Sequence, residues 1–179
     1  MNKKLNFKEG LFFFVTGLAG SGKTTICSHL HKKISKKYGA TIIISGDDIR
    51  RVYKNRKFTK QDRIEFAKKK LKFCQYIVKQ GVNIIYTTIS LSNKTRNLNK
   101  KGIKNFILIF IQANLKKIIK FKKKMIYHKK NQKNIWGIHL KPEFPKRADI
   151  LIRNDFKKTT KTLSDELLIK INNLLHKKI

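Results

Sequence analysis

The sequence predicts a three-layer α/β domain in which a parallel five-stranded sheet carries helices on both faces. Five short apolar runs recur along the chain: Leu11–Thr16, Thr41–Ser45, Val82–Thr87, Asn105–Gln112 and Asp149–Arg153. They are continuous rather than alternating, the pattern of strands buried on both faces. Helix-like stretches lie near residues 22–37, 60–80, 93–101 and 114–124, with a last one near 162–177. Strands separated by helices in this way imply right-handed crossovers, and ligands of such sheets sit beyond the carboxyl ends of the strands.

At 179 residues the chain has the length of one domain, residues 1–179. No apolar run approaches the roughly 20 residues of a membrane span, and MNKKLNFKEG lacks the apolar stretch of a signal peptide. A cytoplasmic chain with no membrane partner is expected. Cys27 and Cys74 lie far apart inside helix-like stretches, as buried reduced thiols do. Both prolines, Pro142 and Pro145, fall in one late and irregular segment.

Forty-four basic against ten acidic residues give a formal charge of +34. Taken alone, that excess would suggest nucleic acid as a partner. The basic residues are 37 Lys and 7 Arg, and Ile (25) and Asn (14) are also abundant, as in a gene drifting toward A/T-rich codons. The lysines are spread along the whole chain rather than gathered in one arm, which argues against a dedicated nucleic-acid site. The positive field still favours polyanionic nucleotides.

The first strand runs into Gly17-Leu18-Ala19-Gly20-Ser21-Gly22-Lys23-Thr24, a full match to G-x-x-x-x-G-K-[ST] between a strand and a helix. Glycines let backbone N–H groups close around phosphate oxygens, Lys23 brings a cation to the β/γ-phosphates, and the Thr24 hydroxyl suits Mg²⁺. Thr25 completes the predicted ATP-binding set. The expected architecture is therefore the three-layer P-loop NTPase fold, with ATP and Mg²⁺ as cofactors.

The second strand ends in Ser45-Gly46-Asp47-Asp48-Ile49-Arg50. Two of only ten carboxylates stand where the sheet brings them beside the phosphate loop. There Asp47 can take a proton from an acceptor hydroxyl or support the metal, with Asp48 the lesser candidate. An aspartate N-cap for a short helix at Ile49 is the structural alternative.

From about Phe13 to Asp155 the chain resembles the adenylyl-sulfate kinase family. The family's GLSGSGKTT resembles GLAGSGKTT, and DGDNIR resembles SGDDIR with Ser45 in place of the first Asp. F-S-x-x-D-R-x-E-N resembles Phe58-Thr59-Lys60-Gln61-Asp62-Arg63-Ile64-Glu65-Phe66, and I-S-P resembles Ile89-Ser90-Leu91, followed by Arg96 at a family arginine. K-G-L-Y resembles Lys124-Met125-Ile126-Tyr127, and F-T-G-I-D resembles Ile135-Trp136-Gly137-Ile138-His139.

The resemblance implies transfer of the γ-phosphoryl of ATP to the 3′-hydroxyl of adenylyl sulfate, with Lys23 and Asp47 catalytic and Thr24 and Asp47 at the metal. It implies an acceptor site of Asp47, Asp48, Ile49, Arg50, Phe58, Arg63, Phe66, Ile89, Ser90, Lys124, Asn134 and Ile135. Lys124 would sit on a lid spanning about 122–145, and a homodimer is a further implication. Three departures fall at the acceptor: Phe66 replaces an asparagine, Ile135 replaces the second clamping aromatic, and His139 replaces an aspartate. The stretch through Arg96-Asn97-Leu98-Asn99-Lys100 looks more like the surface-polysaccharide branch, which includes kinases of cytidine diphosphoramidate. A small-molecule nucleotide is thus the expected substrate, and a polynucleotide end is the rival from another class.

Overall fold

The structure, a computed structural model, describes residues 8–121, 123–128 and 133–177. Five strands, β1 (Phe12–Thr16), β2 (Thr41–Ser45), β3 (Asn83–Thr88), β4 (Phe106–Gln112) and β5 (Ile150–Arg153), form one sheet in the order β2-β3-β1-β4-β5. All four pairings are parallel. The helices are α1 (Lys23–Tyr38), α2 (Gly46–Val52), α3 (Lys60–Lys79), α4 (Asn93–Gly102), α5 (Leu115–Lys120) and α6 (Thr160–His176), with a 3₁₀ turn at Met125–Tyr127.

β1 is central, and all five of its residues are buried. Because successive side chains point to opposite faces, Phe13 and Val15 join Ile26, Leu30, Leu167 and Ile171 beneath α1 and α6. Phe12 and Phe14 join Leu71, Cys74 and Val78 of α3 on the other face. There Phe12 lies 6.0 Å from Tyr86 and Phe14 lies 5.6 Å from Phe106, ring centre to ring centre. Both cysteines are free and buried, and burial pushes each thiol up to about 12.

β2 departs from the sequence expectation. Its run TIIIS is continuously apolar, yet Ile42 and Ile43 are 36% and 37% exposed, because β2 is an edge strand hydrogen-bonded to β3 alone. Two helix boundaries also move. The stretch expected at 114–124 stops at Lys120, where the Lys123 N–H turns back to the Ile118 carbonyl at 3.1 Å. The last helix starts two residues early because the Thr159 hydroxyl accepts from the Thr162 N–H at 3.1 Å, an N-cap that fixes the first turn.

The chain reverses direction across the sheet between β1 and β3, so a crevice opens beyond their carboxyl ends. A cavity of about 510 Å³ lies there, lined from the loops after β1, β2, β3 and β5, from α3, and from the segment after α5. Residues 122 and 129–132 of the expected lid lie outside the described residues.

Candidate active site

At the end of β1 the backbone turns through Gly20 (φ 77°) and Gly22 (φ 91°), left-handed conformations that favour glycine. A Cβ on Gly20 would stand 2.9 Å from Ile118 Cγ2, and one on Gly22 would stand 2.9 Å from Asn154 Nδ2. Gly22 is the N-cap of the 16-residue α1 and supplies no capping side chain, which leaves the first-turn N–H groups facing the cavity. With the helix dipole behind them, such groups form an anion site. Ala19, Gly20, Gly22, Lys23, Thr24 and Thr25 line it.

Gly17, Leu18 and Ser21 contribute from behind the lining. The buried Lys23 ammonium donates to the carbonyls of Gly17 (3.0 Å) and Leu18 (2.6 Å) and to Ser21 Oγ (3.4 Å). Burial lowers its pKa to about 8, opposed by the charge of Asp47. The loop thus holds a desolvated cation that an incoming phosphate stabilises.

The paired aspartates diverge. α2 begins at Gly46, one residue before the pair, and its N-cap is Ser45, whose Oγ accepts from the Asp48 N–H at 3.0 Å. The capping alternative therefore falls to Ser45, a residue as competent as the aspartate it replaces. Asp48 is held outward by Ser45 Oγ (2.7 Å) and by an ion pair with Arg51 and does not line the cavity, whereas Asp47 does. Ile49 is buried beneath α2 and is also absent from the lining.

At the far end of the cavity Arg50 donates to Asn55 Oδ1 (3.1 Å) and to the Lys57 carbonyl (2.9 Å), which shapes the loop that carries Phe58. The Arg50 guanidinium lies 4.6 Å from the Phe58 ring centre and 4.8 Å from that of Phe66. Phe58 is 43% exposed and lines the cavity, so it is not a core aromatic; Phe66 is buried behind Arg50. Arg63 donates to the carbonyls of Phe58 (2.8 Å) and Asn134 (2.9 Å), tying the start of α3 to the segment that bears Ile135 and Trp136. Burial, reinforced by the charge of Arg50, lowers the Arg63 pKa to about 10. Asp62, part of the same family-like block, serves locally by forming a capping box with Thr59.

The Ile89–Ser90 wall is fixed from two sides. Thr16 Oγ1 donates to the Ile89 carbonyl at 2.7 Å, and Arg96 donates to the Ser90 carbonyl at 3.2 Å. Arg96 is itself buried and positions the wall. Beyond α5, Tyr127 Oη donates to the Ala19 carbonyl at 3.2 Å, which docks the following segment on the phosphate loop, while Lys124 is exposed and lines the cavity. Further along, Glu143 accepts from Lys60 (3.0 Å) and from the Asn93 N–H (2.6 Å). The motifs did not single out Lys60, Lys70, Thr88, Trp136, Asn154 or Phe156, which also line the cavity. Asn154 had the clearest signal: it follows the last strand, and its Nδ2 donates to the Ser21 carbonyl at 3.0 Å.

Among the described residues no cluster of three His, Cys, Asp or Glu side chains could hold a metal by itself. The Thr24 hydroxyl and the Asp47 carboxylate both line the cavity, a sparse oxygen set that fits Mg²⁺, which keeps several waters and takes further ligands from phosphate.

A model of the adenylylsulphate kinase family matches residues 9–153. The Campylobacter jejuni cytidine diphosphoramidate kinase is 36% identical over 144 residues, 79% of this chain and 84% of its own. The Clostridium kluyveri adenylyl-sulfate kinase is 31% identical over 157 residues, 85% of this chain and 79% of its own. The fold is shared with the Mycobacterium tuberculosis APS kinase solved in complex with AMPPNP and APS, at a TM-score of 0.82 and 21% identity, covering 92% of this chain and 98% of that one. Among the described residues no helix is long and apolar enough to cross a membrane. The sequence match over most of the chain, carried on the same parallel sheet, makes this protein a member of the adenylylsulphate kinase family and a nucleotide-binding phosphotransferase.

Proposed function

We propose that the protein transfers the γ-phosphoryl group of ATP to a ribose hydroxyl of cytidine diphosphoramidate or a closely similar cytidine diphosphate derivative. The carrying observation is the shape of the acceptor end. Phe58 offers an aromatic face, whereas Ile135, which also lines the cavity, stands where the family resemblance implies a second clamping aromatic. Trp136, the next residue, is only 4% exposed and already has the Arg63 guanidinium 5.8 Å from its ring centre. One aromatic face suits a pyrimidine better than a purine, whose larger surface gains about 0.5 to 1.5 kcal/mol from each additional stacking contact. The 36% identity to a relative named for cytidine diphosphoramidate supports the same reading. Adenylyl sulfate, the acceptor that the family motifs suggest first, becomes the comparison substrate.

In this reading the acceptor hydroxyl oxygen forms a bond to the γ-phosphorus while the bond to the β-bridging oxygen breaks, and ADP leaves. Asp47 accepts the hydroxyl proton, and Lys23 stabilises charge on the transferring group. Arg50 and Arg63 orient the acceptor's anionic bridge, since a guanidinium fork suits phosphate oxygens. Mg²⁺ would be held by Thr24 and Asp47 and supplies neutralisation of the donor phosphates.

The test is ADP release from ATP and Mg²⁺ with cytidine diphosphoramidate, adenylyl sulfate or a DNA oligonucleotide as acceptor. The expected result is a kcat/KM for cytidine diphosphoramidate at least about tenfold above that for adenylyl sulfate, a difference of 1.4 kcal/mol in transition-state stabilisation, with no response to DNA. Preference for adenylyl sulfate would return the chain to sulfate activation, and a salt-sensitive response to DNA would favour a polynucleotide kinase.

A further inference from the structure

Lys68, Lys69 and Lys70 form a lysine run on α3, but they do not share one environment. Lys68 and Lys69 are exposed, while Lys70 is drawn inward and lines the cavity. Helical spacing explains the difference: Arg63, Ala67 and Lys70 fall on one face of α3, and all three line the cavity. Lys70 Nζ donates to Tyr86 Oη and lies 5.1 Å from the Phe66 ring centre and 5.0 Å from that of Tyr86. Arg50 lies over the same Phe66 ring at 4.8 Å.

Three cations therefore converge on one end of the cavity from α2 and α3. Among the described residues none of them forms an ion pair, and the partners of Arg50 and Arg63 are neutral oxygens. Asp47 and Asp62 act on Arg50 from beyond ion-pair distance, and desolvating three like charges together with no carboxylate in direct contact is costly unless an anion completes the group. Burial, followed by the charge of Arg50, lowers the Lys70 pKa to about 8, consistent with an ammonium awaiting a counter-ion.

We infer that Lys70 is a specificity-determining residue, the third cation that, with Arg50 and Arg63, holds a diphosphate-type dianion on the acceptor. The inference rests on the reading of this end as the acceptor site and names the acceptor group that site requires. Arg50 and Arg63 are already bonded to backbone and amide oxygens, and each retains further N–H donors. Lys70 has three donors and uses one on Tyr86.

The test is calorimetric binding with the donor end saturated by AMPPNP, using cytidine 5′-diphosphate, inorganic pyrophosphate and cytidine as probes. Wild type is compared with Lys70→Met, which keeps the stem against Phe66, with Lys70→Arg, and with Tyr86→Phe. Lys70→Met is expected to weaken cytidine 5′-diphosphate and pyrophosphate by about 10- to 100-fold and cytidine by less than about twofold, the size of a lost charged hydrogen bond. Lys70→Arg should stay within about fivefold of wild type, and Tyr86→Phe within about threefold. The inference is overturned if Lys70→Met weakens cytidine as much as the diphosphate, if it weakens neither, or if wild type binds neither diphosphate nor pyrophosphate. An equal loss in Tyr86→Phe would also overturn it by making Lys70 a strut for Tyr86. These binding results do not depend on turnover: a wild type inactive on both nucleotide acceptors sinks the proposed reaction while the diphosphate-against-cytidine difference still decides Lys70.

Discussion

At the proposed donor end the groups that face the cavity come from one short stretch at the start of α1: Ala19, Gly20, Gly22, Lys23, Thr24 and Thr25. At the acceptor end they are side chains brought together from α2, the loop before α3, α3 itself and the segment after α5: Arg50, Phe58, Arg63, Lys70 and Ile135. A phosphate is the same in every nucleotide, so one rigid loop can serve. A base and its anionic bridge vary, and side chains from separate elements can change one at a time without disturbing the sheet. Replacements at the donor end should therefore abolish turnover with any acceptor, while those at the acceptor end should redistribute preference.

The largest effect is expected from Lys23→Ala. Removing the buried cation should lower turnover by about 10² to 10⁴, with thermal unfolding near that of wild type. Wild-type turnover in this variant would falsify the phosphate-loop assignment. Asp47→Asn follows, at about 10² or more in kcat with ATP affinity little changed, whereas Asp48→Asn should cost only a few-fold because Asp48 is turned toward Ser45 and Arg51. A larger loss in Asp48→Asn would reverse the assignment of the pair.

The donor end should also reveal itself through pH. Asp47, Cys27 and Lys124 are the charged or titratable groups that act on Lys23, and burial holds its pKa at about 8. Above that value the empty site favours the neutral amine, but bound phosphates favour the ammonium, so binding takes up a proton. ATP affinity should fall by up to about tenfold per pH unit above pH 8, and this contribution should be flat well below it. Calorimetry in two buffers of different ionisation enthalpy reads the proton uptake directly. Lys23→Met should abolish it.

Smaller effects sharpen the acceptor end. Phe58→Ala should raise the acceptor KM by about 2- to 10-fold, the value of one stacking contact, and leave the KM of ATP unchanged. Tyr127→Phe removes a single bond to the Ala19 carbonyl. At about 0.5 to 1.5 kcal/mol, its loss should appear as a few-fold rise in the KM of ATP alone.

The same contrast explains how much was legible in the sequence. The five strands, most of the helices and the phosphate loop follow from apolar runs and one contiguous motif, signals that need no partner far along the chain. The exposure of β2 could not be read from TIIIS, because an edge position is a property of sheet order and not of the strand itself. Lys70 was hidden in a run of lysines, and only the register of α3 distinguishes it from Lys68 and Lys69. The divergence of Asp47 and Asp48 depends on a cap made by Ser45, two residues before Asp47 and three before Asp48, the aspartates that could otherwise have capped the helix. Arg96 was noticeable as one of 7 arginines beside 37 lysines, yet its task of holding the Ser90 carbonyl required the fold.

In the proposed function, one aromatic face at Phe58, with an aliphatic Ile135 where a second would stand, selects a cytidine acceptor. The most direct test is the ratio of kcat/KM for cytidine diphosphoramidate to that for adenylyl sulfate, measured in wild type and in Ile135→Phe. The wild-type ratio should exceed about ten and fall several-fold in Ile135→Phe, because a second ring rewards the purine and crowds the pyrimidine. A wild-type ratio below one, or a ratio that Ile135→Phe leaves unchanged or raises, would contradict the proposed function.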